Sequence, residues 1–201
     1  MKTTVTAIVI GLGLAAIGAT TSTNNAPGTV SGVVHLRSVA RLPTLVYIEE
    51  ISGRTFHPPT TPVVMDQEQK LFSPHVLPIL TGTTVDFVNS DSFEHNVFSP
   101  DGEKFDLGKW GQGGKRAYTF KTPGIYTQLC RIHPEMVGYV IVLQNPCFAM
   151  ADKQGAFHIT HVPPGNWRLK VWNERLRPKK LRKSFEITVS PGQEARTDIS
   201  F

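Results

Sequence analysis

The sequence predicts an all-β protein, and two observations carry that prediction. Short runs of alternating or β-branched residues recur along the chain, whereas few segments keep apolar residues at helical spacing. Glycine (17) and proline (15) are frequent, and they separate many of these runs with turn signals such as Pro123-Gly124 and Pro191-Gly192. A chain of 201 residues is long enough for one or two domains with buried cores.

Twelve strands are predicted, each from its alternation or its β-branched content. In chain order they are residues 29–36, 44–49, 62–65, 76–80, 84–88, 96–99, 116–120, 124–129, 137–143, 156–159, 167–171 and 185–189. Pro78 lies inside the fourth run, and a proline cannot donate to a strand ladder, so this run is expected either at a sheet edge or as the weakest of the predicted strands.

Residues 1–25 read as a cleaved signal peptide. Lys2 precedes an apolar stretch over residues 5–17, and small residues follow it. The alternative is a membrane anchor, but the stretch is short for crossing a bilayer. We therefore expect a periplasmic or secreted protein.

The charge of the chain is uneven. Residues 60–144 hold nine acidic and seven basic side chains, so the remainder of the chain is strongly basic. Part of that excess is a run of cations near the C-terminus: Arg175, Arg177, Lys179, Lys180, Arg182 and Lys183. The run predicts contact with an acidic partner or an anionic membrane surface, and the alternative is a solvated loop. The predicted export and the lack of a recognised nucleic-acid-binding motif argue against nucleic acid as a partner.

A set of metal-binding residue types is concentrated in one short segment. Cys130, His133 and Met136 follow the spacing Cys-x2-His-x2-Met, and His95 lies 35 residues before the cysteine. A thiolate, two imidazoles and a weak axial thioether suit both oxidation states of copper, so these four residues are the predicted ligands of one type 1 copper ion. The alternative for Cys130 is a disulfide with Cys147, the other cysteine of an exported chain.

Neighbouring residues are predicted to hold the ligands in place and to shield the site from water. The Asn96 amide is expected to tie the His95 strand to the loop that carries Cys130, and Pro134 is expected to stiffen that loop. Three apolar side chains are expected to keep water away: Phe93, Phe98 and Ile132.

Residues 62–144 resemble the cupredoxins, the plastocyanin, pseudoazurin and amicyanin family. The matching stretches are residues 72–74, 82–89, His95-Asn96 and the loop over residues 124–136. The resemblance implies a Greek-key β-sandwich with copper at one end, one-electron transfer without catalysis, and His133 as the electron port. It also implies a redox protein partner such as a cytochrome or an oxidoreductase. Arg131 and Glu135 depart from the small or apolar residues of many members, which favours a partner chosen partly by charge.

Residues 145–201 resemble a second family, the carboxypeptidase-regulatory-like or transthyretin-like β-sandwich, in segments 151–159, 162–169 and 185–189. Such modules usually begin with a Gly-x-Val-x-Gly strand, which here lies far upstream, at residues 28–34. We therefore predict strands at 28–59 that pair with a small sandwich at 145–201, with the cupredoxin domain inserted at 60–144. The alternative is a tandem in which the first strands extend the cupredoxin.

These inferences predict an exported blue-copper electron carrier and no enzyme activity. The chain contains no His-x-His pair of the kind that further copper sites of copper enzymes use. Two alternatives are a copper-binding interaction module without electron transfer and a subunit of a copper oxidoreductase.

Overall fold

The computed structural model describes residues 25–36 and 42–201, which form strands connected by turns and one short helix. The strands are β1 (Gly28–His35), β2 (Thr44–Ile48), β3 (Val63–Glu68), β4 (Leu71–Ser73), β5 (Val76–Leu80), β6 (Thr84–Asn89), β7 (His95–Ser99), β8 (Phe105–Trp110), β9 (Lys115–Thr119), β10 (Gly124–Leu129), β11 (Val137–Leu143), β12 (Phe148–Ala151), β13 (Ala156–Val162), β14 (Gly165–Trp172), β15 (Phe185–Val189), β16 (Glu194–Arg196) and β17 (Ile199–Ser200). The helix α1 (Pro178–Leu181) is a single turn that begins at a proline, whose fixed φ suits a first helical residue.

The all-β prediction is confirmed, and each of the twelve predicted strands overlaps an observed one. Five strands were missed: β4, β8, β12, β16 and β17. Most of them have two to four residues, too few to show an alternation, and in β8 the alternation is broken at Gly108, whose φ is +74°. The strand that contains Pro78, β5, lies at the edge of its sheet, as the proline predicts.

Strands β3 to β11 form what we call the central sandwich. One sheet has the order β5-β11-β10-β7-β8, and the other has the order β4-β3-β6-β9. Between the sheets lies an apolar core that includes Met65, Phe87, Phe120 and Tyr126. Because β10 ends at Leu129 and β11 begins at Val137, residues 130–136 form the turn at one end of this sandwich, which we call the ligand end.

The remaining strands form the flanking sandwich. Its sheets have the orders β13-β1-β16, with β17 also paired to β1, and β12-β2-β14-β15. The first two strands of the chain therefore pair with strands that follow residue 147, and not with β3 to β11. The flanking sandwich is therefore divided in sequence, with its first two strands before β3 to β11 and the others after them. The boundaries at residues 59 and 144 stay predictions.

The two sandwiches meet in a small apolar cluster. Leu45 of β2 and Trp172 of β14 pack with Val76, Ile141 and Leu143 of the central sandwich. The Trp172 ring also lies edge-on to Tyr139, with 4.9 Å between ring centroids. We call this set the junction cluster. Its apolar contacts hold the edge strand β5 against the flanking sandwich.

Polar side chains join the two points at which the chain passes between the sandwiches. The Ile51 amide donates to Gln144 Oε1 at 3.0 Å, and Asn145 Nδ2 donates to the carbonyl of Ile48, also at 3.0 Å. The chain thus leaves and re-enters the flanking sandwich at neighbouring positions, the geometry that an inserted domain requires.

The Gly-x-Val-x-Gly strand has a steric basis in the structure. A Cβ atom on Gly32 would lie 1.7 Å from the carbonyl oxygen of Thr197, and one on Gly28 would lie 2.4 Å from that of Gln193. Both glycines therefore let β1 approach the backbone of the C-terminal strands more closely than any side chain permits.

The predicted signal peptide at residues 1–25 lies almost wholly outside the described residues. Among the residues that are described, no helix has the length and apolar character needed to cross a membrane.

The first prediction concerns Gly32→Ala. We expect the free energy of unfolding of the flanking sandwich to fall by about 2 kcal/mol or more, because the added methyl group forces β1 away from the Thr197 carbonyl. Denaturant unfolding followed by tryptophan fluorescence measures the change. The control is Gly111→Ala, where no atom lies within 4 Å of the new Cβ. Equal stability of the two variants would contradict the steric account.

Candidate metal centre

Three of the four predicted ligands converge at the ligand end of the central sandwich. His95 is the first residue of β7, and Cys130 and His133 lie in the turn between β10 and β11. The Nδ1 atoms of the two histidines are 3.1 Å apart, and each lies 3.9 Å from Cys130 Sγ. These three side chains form the one group of His, Cys, Asp or Glu in the described residues that is arranged to hold a metal ion.

The separations between these three donor atoms would fit a trigonal plane of two nitrogens and one sulfur around a bound ion. With metal–nitrogen bonds of about 2.0 Å and a metal–sulfur bond of about 2.3 Å, the distances above correspond to one angle near 100° and two near 130°, which add up to about 360°. A tetrahedral ion would need nitrogen–sulfur separations of about 3.5 Å, shorter than those found. A trigonal His2Cys plane is the arrangement typical of blue copper, so the residues present fit the implied ion.

The fourth predicted ligand, Met136, ends the same turn. Its side chain is fully buried and packs in the same core cluster as Cys130, and its amide donates to the His133 carbonyl at 3.0 Å. His95 is also fully buried, and Cys130 is 4% exposed. The site therefore excludes water on the core side, and it opens only toward the partly exposed His133.

Asn96 fastens the ligand turn to β7, as the sequence predicted. The backbone N–H of Asn96 donates to Cys130 Sγ at 3.4 Å, and its side-chain oxygen accepts from the backbone N–H of Arg131 at 3.3 Å. Its Nδ2 donates to Asp106 and to the carbonyl of Gly108. The backbone N–H of Asn96 thus binds the cysteine, and its buried side-chain amide connects the turn to β8.

Arg131 is part of this fastening rather than a free charge beside the port. Its Nε donates to Asp106 Oδ2 at 2.8 Å, and its guanidinium lies 4.2 Å from the centre of the Phe98 ring. The Arg131 hydrogen bond, with those from Gly108 and Asn96, holds the pKa of Asp106 below its ordinary value. Arg131 therefore extends across β7 and β8 toward Phe98 and Asp106, while Glu135 is exposed.

A carboxylate that the sequence analysis missed orients His95. Asp91 Oδ2 lies 2.8 Å from His95 Nε2, so this ring nitrogen carries the hydrogen and Nδ1 remains free to bind a metal. Burial acts to raise the pKa of Asp91, but hydrogen bonds from the Lys70 amide, His95 and the Gln69 amide outweigh it and lower the pKa. Gln69 and Lys70 both have positive φ, and this turn aims their two N–H groups at the carboxylate.

The environment of His133 favours the neutral form of its ring. Burial lowers the pKa of His133, and the neighbouring His95 and Lys70 act in the same direction against Glu135 and Asp91. A neutral imidazole is the form that binds a metal ion. The Phe93 ring covers both imidazoles, at 5.1 Å from His95 and 5.3 Å from His133 between ring centroids.

Not all of the predicted apolar shield is placed as expected. Phe98 lies under the Arg131 guanidinium, and Phe93 contacts both histidines although it is 40% exposed. Ile132 is 39% exposed and points outward at the rim. The shield on the solvent side therefore depends mainly on Phe93.

The disulfide alternative is excluded, because Cys130 and Cys147 are both free and belong to different cores. Burial raises the pKa of Cys147 to about 11, so this thiol is an inert core residue of the flanking sandwich. His158 and His161 are exposed surface histidines.

The sequence offers one indirect hint of Asp91 and none of Asp106 as part of the site. Asp91 reaches His95 across the bend that precedes β7, and Asp106 lies on β8, a strand that the sequence did not reveal. Both contacts depend on how the loops fold. An acidic residue a few positions before the first histidine is the one hint available.

Comparison with known families locates the resemblance in the central sandwich. Residues 60–143 match the family described as copper binding proteins, plastocyanin/azurin family. This match ends before the flanking sandwich, so the resemblance of residues 145–201 to a carboxypeptidase-regulatory-like module stays a prediction. A search of the curated proteins found no relative.

Several solved structures resemble part of the chain. The purple cupredoxin from Nitrosopumilus maritimus is 29% identical over 40% of this chain and 98% of its own, with a TM-score of 0.38. A single-residue variant of amicyanin, in its reduced Cu(I) form, is 24% identical over 43% of this chain and 91% of its own, with a TM-score of 0.39. The copper-containing nitrite reductase from Thermus scotoductus SA-01 is 31% identical over 57% of this chain but only 28% of its own, with a TM-score of 0.41.

The second prediction concerns Asp91→Asn. We expect the affinity for Cu(II) to fall about 10–100-fold, because an amide supports the Nε2 hydrogen of His95 less well than a carboxylate does. Titration with Cu(II) against a competing chelator measures the affinity. Asp86→Asn is the matched control, since it removes the same charge from a carboxylate of β6 that pairs with Lys115. An unchanged affinity in Asp91→Asn would show that Asp91 does not position His95.

Proposed function

We propose that the protein is an exported electron carrier with one type 1 copper ion, and the premise is the match of residues 60–143 to the plastocyanin/azurin family of copper binding proteins. The proposed ligands are His95, Cys130, His133 and Met136. The observation that carries the proposal is the convergence of two imidazole nitrogens and one thiol sulfur, at trigonal separations, in a site closed on its core side.

Copper, when bound, supplies a couple that gains or loses one electron. The chain contributes rigidity, which limits how far the donors move between the two oxidation states. Asn96 fixes the turn, and Asp91 fixes the ring of His95. Met136 is fully buried in the same core cluster as Cys130, so the core side of the site is closed to a substrate. These features favour electron transfer over catalysis.

The exposed edge of His133 is the proposed port for electrons. Around it lie the exposed apolar side chains of Phe93, Ile132 and Pro134, with the charged Glu135 and, over the Phe93 ring, Lys70. The apolar part of this rim lets a partner approach the imidazole without displacing strongly bound water. The proposed partner is a redox protein such as a cytochrome or an oxidoreductase. The signal-like residues 1–25 support a periplasmic or secreted location.

Two alternatives differ from this proposal in what they do with the copper. An interaction module would bind copper without exchanging electrons with a cytochrome, and stopped-flow mixing with a reduced cytochrome separates it from a carrier. A subunit of a copper oxidoreductase would turn over nitrite or oxygen, and an assay with those substrates tests it.

The third prediction concerns the cysteine. Addition of Cu(II) to the purified protein is expected to produce an intense visible band from charge transfer between the thiolate and copper, and Cys130→Ser is expected to abolish it. Absorption and paramagnetic-resonance spectra provide the measurement. Cys147→Ser is the matched control and should keep the band, because Cys147 lies in the other core. A band that persists in Cys130→Ser would show that Cys130 is not a copper ligand.

The fourth prediction concerns the thioether. Met136→Leu is expected to keep the blue colour and to raise the reduction potential, because the loss of a weak donor disfavours Cu(II) more than Cu(I). Voltammetry measures the potential. Met150→Leu, on the partly exposed β12, is the matched control and should leave it unchanged. A lower potential in Met136→Leu would count against Met136 as a ligand.

A further inference from the structure

The six cations of residues 175–183 form a positively charged surface that the chain does not neutralise. None of Arg175, Arg177, Lys179, Lys180, Arg182 and Lys183 takes part in an ion pair among the described residues. The residues outside the described ranges contain no aspartate or glutamate that could pair with them. We call this set the basic segment.

Strand polarity places the start of the basic segment at the ligand end of the central sandwich. Strand β11 begins directly after Met136, and β5 runs parallel to it, with Val76 opposite Tyr139. His75, just before β5, therefore lies opposite Gly138, two strand residues or about 7 Å along the sheet from Met136. Its Nε2 lies 3.1 Å from Glu174 Oε2, and Glu174 directly precedes Arg175.

The basic segment is held in that place by packing. Leu176 is 7% exposed and belongs to the core of the flanking sandwich. Leu181 packs against both that core and the junction cluster. Lys180 and Lys183 lie 5.8 Å and 5.9 Å from the centre of the Phe201 ring. The cations therefore keep a defined position on the flanking sandwich and the junction cluster, unlike those of a free loop.

We propose that the basic segment is the docking surface for an acidic redox protein, which it steers toward the His133 port. This inference rests on the proposed function. A fixed patch of six charges that begins at the ligand end raises the encounter rate with a partner of opposite charge and orients it before contact. The apolar rim around His133 then makes the close contact through which the electron passes.

The position of the segment favours a protein over a membrane as its occupant. An anionic bilayer seated on residues 175–183 would approach the same end of the molecule at which a partner must reach His133. For a redox protein with an acidic patch, binding at this position is productive, because it brings the redox centre of that protein toward the port. In the proposed exchange, a ferrous acidic c-type cytochrome loses one electron and becomes ferric, and the Cu(II) protein gains that electron and becomes Cu(I).

The test compares two triple variants that remove the same charge. The first is Arg177→Gln/Lys179→Gln/Arg182→Gln, at exposed positions of the segment, and the second is Lys121→Gln/Lys153→Gln/Arg196→Gln, at exposed positions outside it. Stopped-flow mixing of the copper-loaded full chain with a reduced acidic c-type cytochrome gives the second-order rate constant at low ionic strength. Calorimetric titration of the copper-free chain with the same cytochrome gives the affinity without any electron transfer.

We expect the segment variant to react about tenfold more slowly and to bind the acidic cytochrome more weakly, with the difference disappearing at high ionic strength. The control variant should change by less than twofold, and a basic c-type cytochrome should not react more slowly with either variant. Equal slowing in both variants would overturn the inference, since net charge alone would then explain the rates.

Two further outcomes are distinguishable. Co-sedimentation with phosphatidylglycerol vesicles that is lost in the segment variant, at an unchanged cytochrome rate, assigns the segment to a membrane and overturns the inference. A parent protein that binds Cu(II) but accepts no electron from either cytochrome or from ascorbate overturns the proposed function itself. Rapid exchange by the parent and by the segment variant alike overturns the docking surface alone.

Discussion

The site depends on one constraint: a seven-residue turn has to hold a thiol and an imidazole against a histidine that lies on a different strand. Asn96 satisfies it, because its amide hydrogen reaches the cysteine sulfur while its side chain binds the turn on one side and β8 on the other. An unpaired buried amide is costly, so the network favours a single arrangement in which every donor is used. The trigonal separation of the donor atoms follows from this fixed turn.

Charged and hydrogen-bonding groups near the two histidines also help to hold the imidazole rings in position. The ionised Asp91 holds the Nε2 hydrogen of His95, and the strained turn at Gln69 and Lys70 keeps that carboxylate in place with two backbone N–H groups. Near His133, burial and two neighbouring cationic or basic groups favour the neutral ring. Both imidazoles are therefore arranged as ligands by residues that do not bind the metal themselves.

Much of the candidate site could be predicted from the spacing of its ligand residues along the sequence. Cys130, His133 and Met136 share one turn, so their proximity needed no knowledge of the fold, and the adjacent Asn96 was implied by the position of His95. Asp91 and Asp106 could not be predicted, because their contacts arise only when a bend and an unrecognised strand fold beside the turn. Likewise, the long alternating strands were predictable, whereas β16 and β17 are too short to show a pattern. Arg131 was expected beside the port, yet its pairing with Asp106 draws it across the sheet.

The divided strand pairing has a consequence for the order in which the chain can fold. Residues 60–143 are contiguous, so every strand of the central sandwich is available once β11 has been synthesised. Strands β1 and β2 have no sheet partners until residues beyond 147 emerge, and contacts so distant in sequence form slowly. The flanking sandwich must therefore close last, around a domain already able to fold. During that interval the exposed edges of β1 and β2 are the part of the nascent chain most open to aggregation.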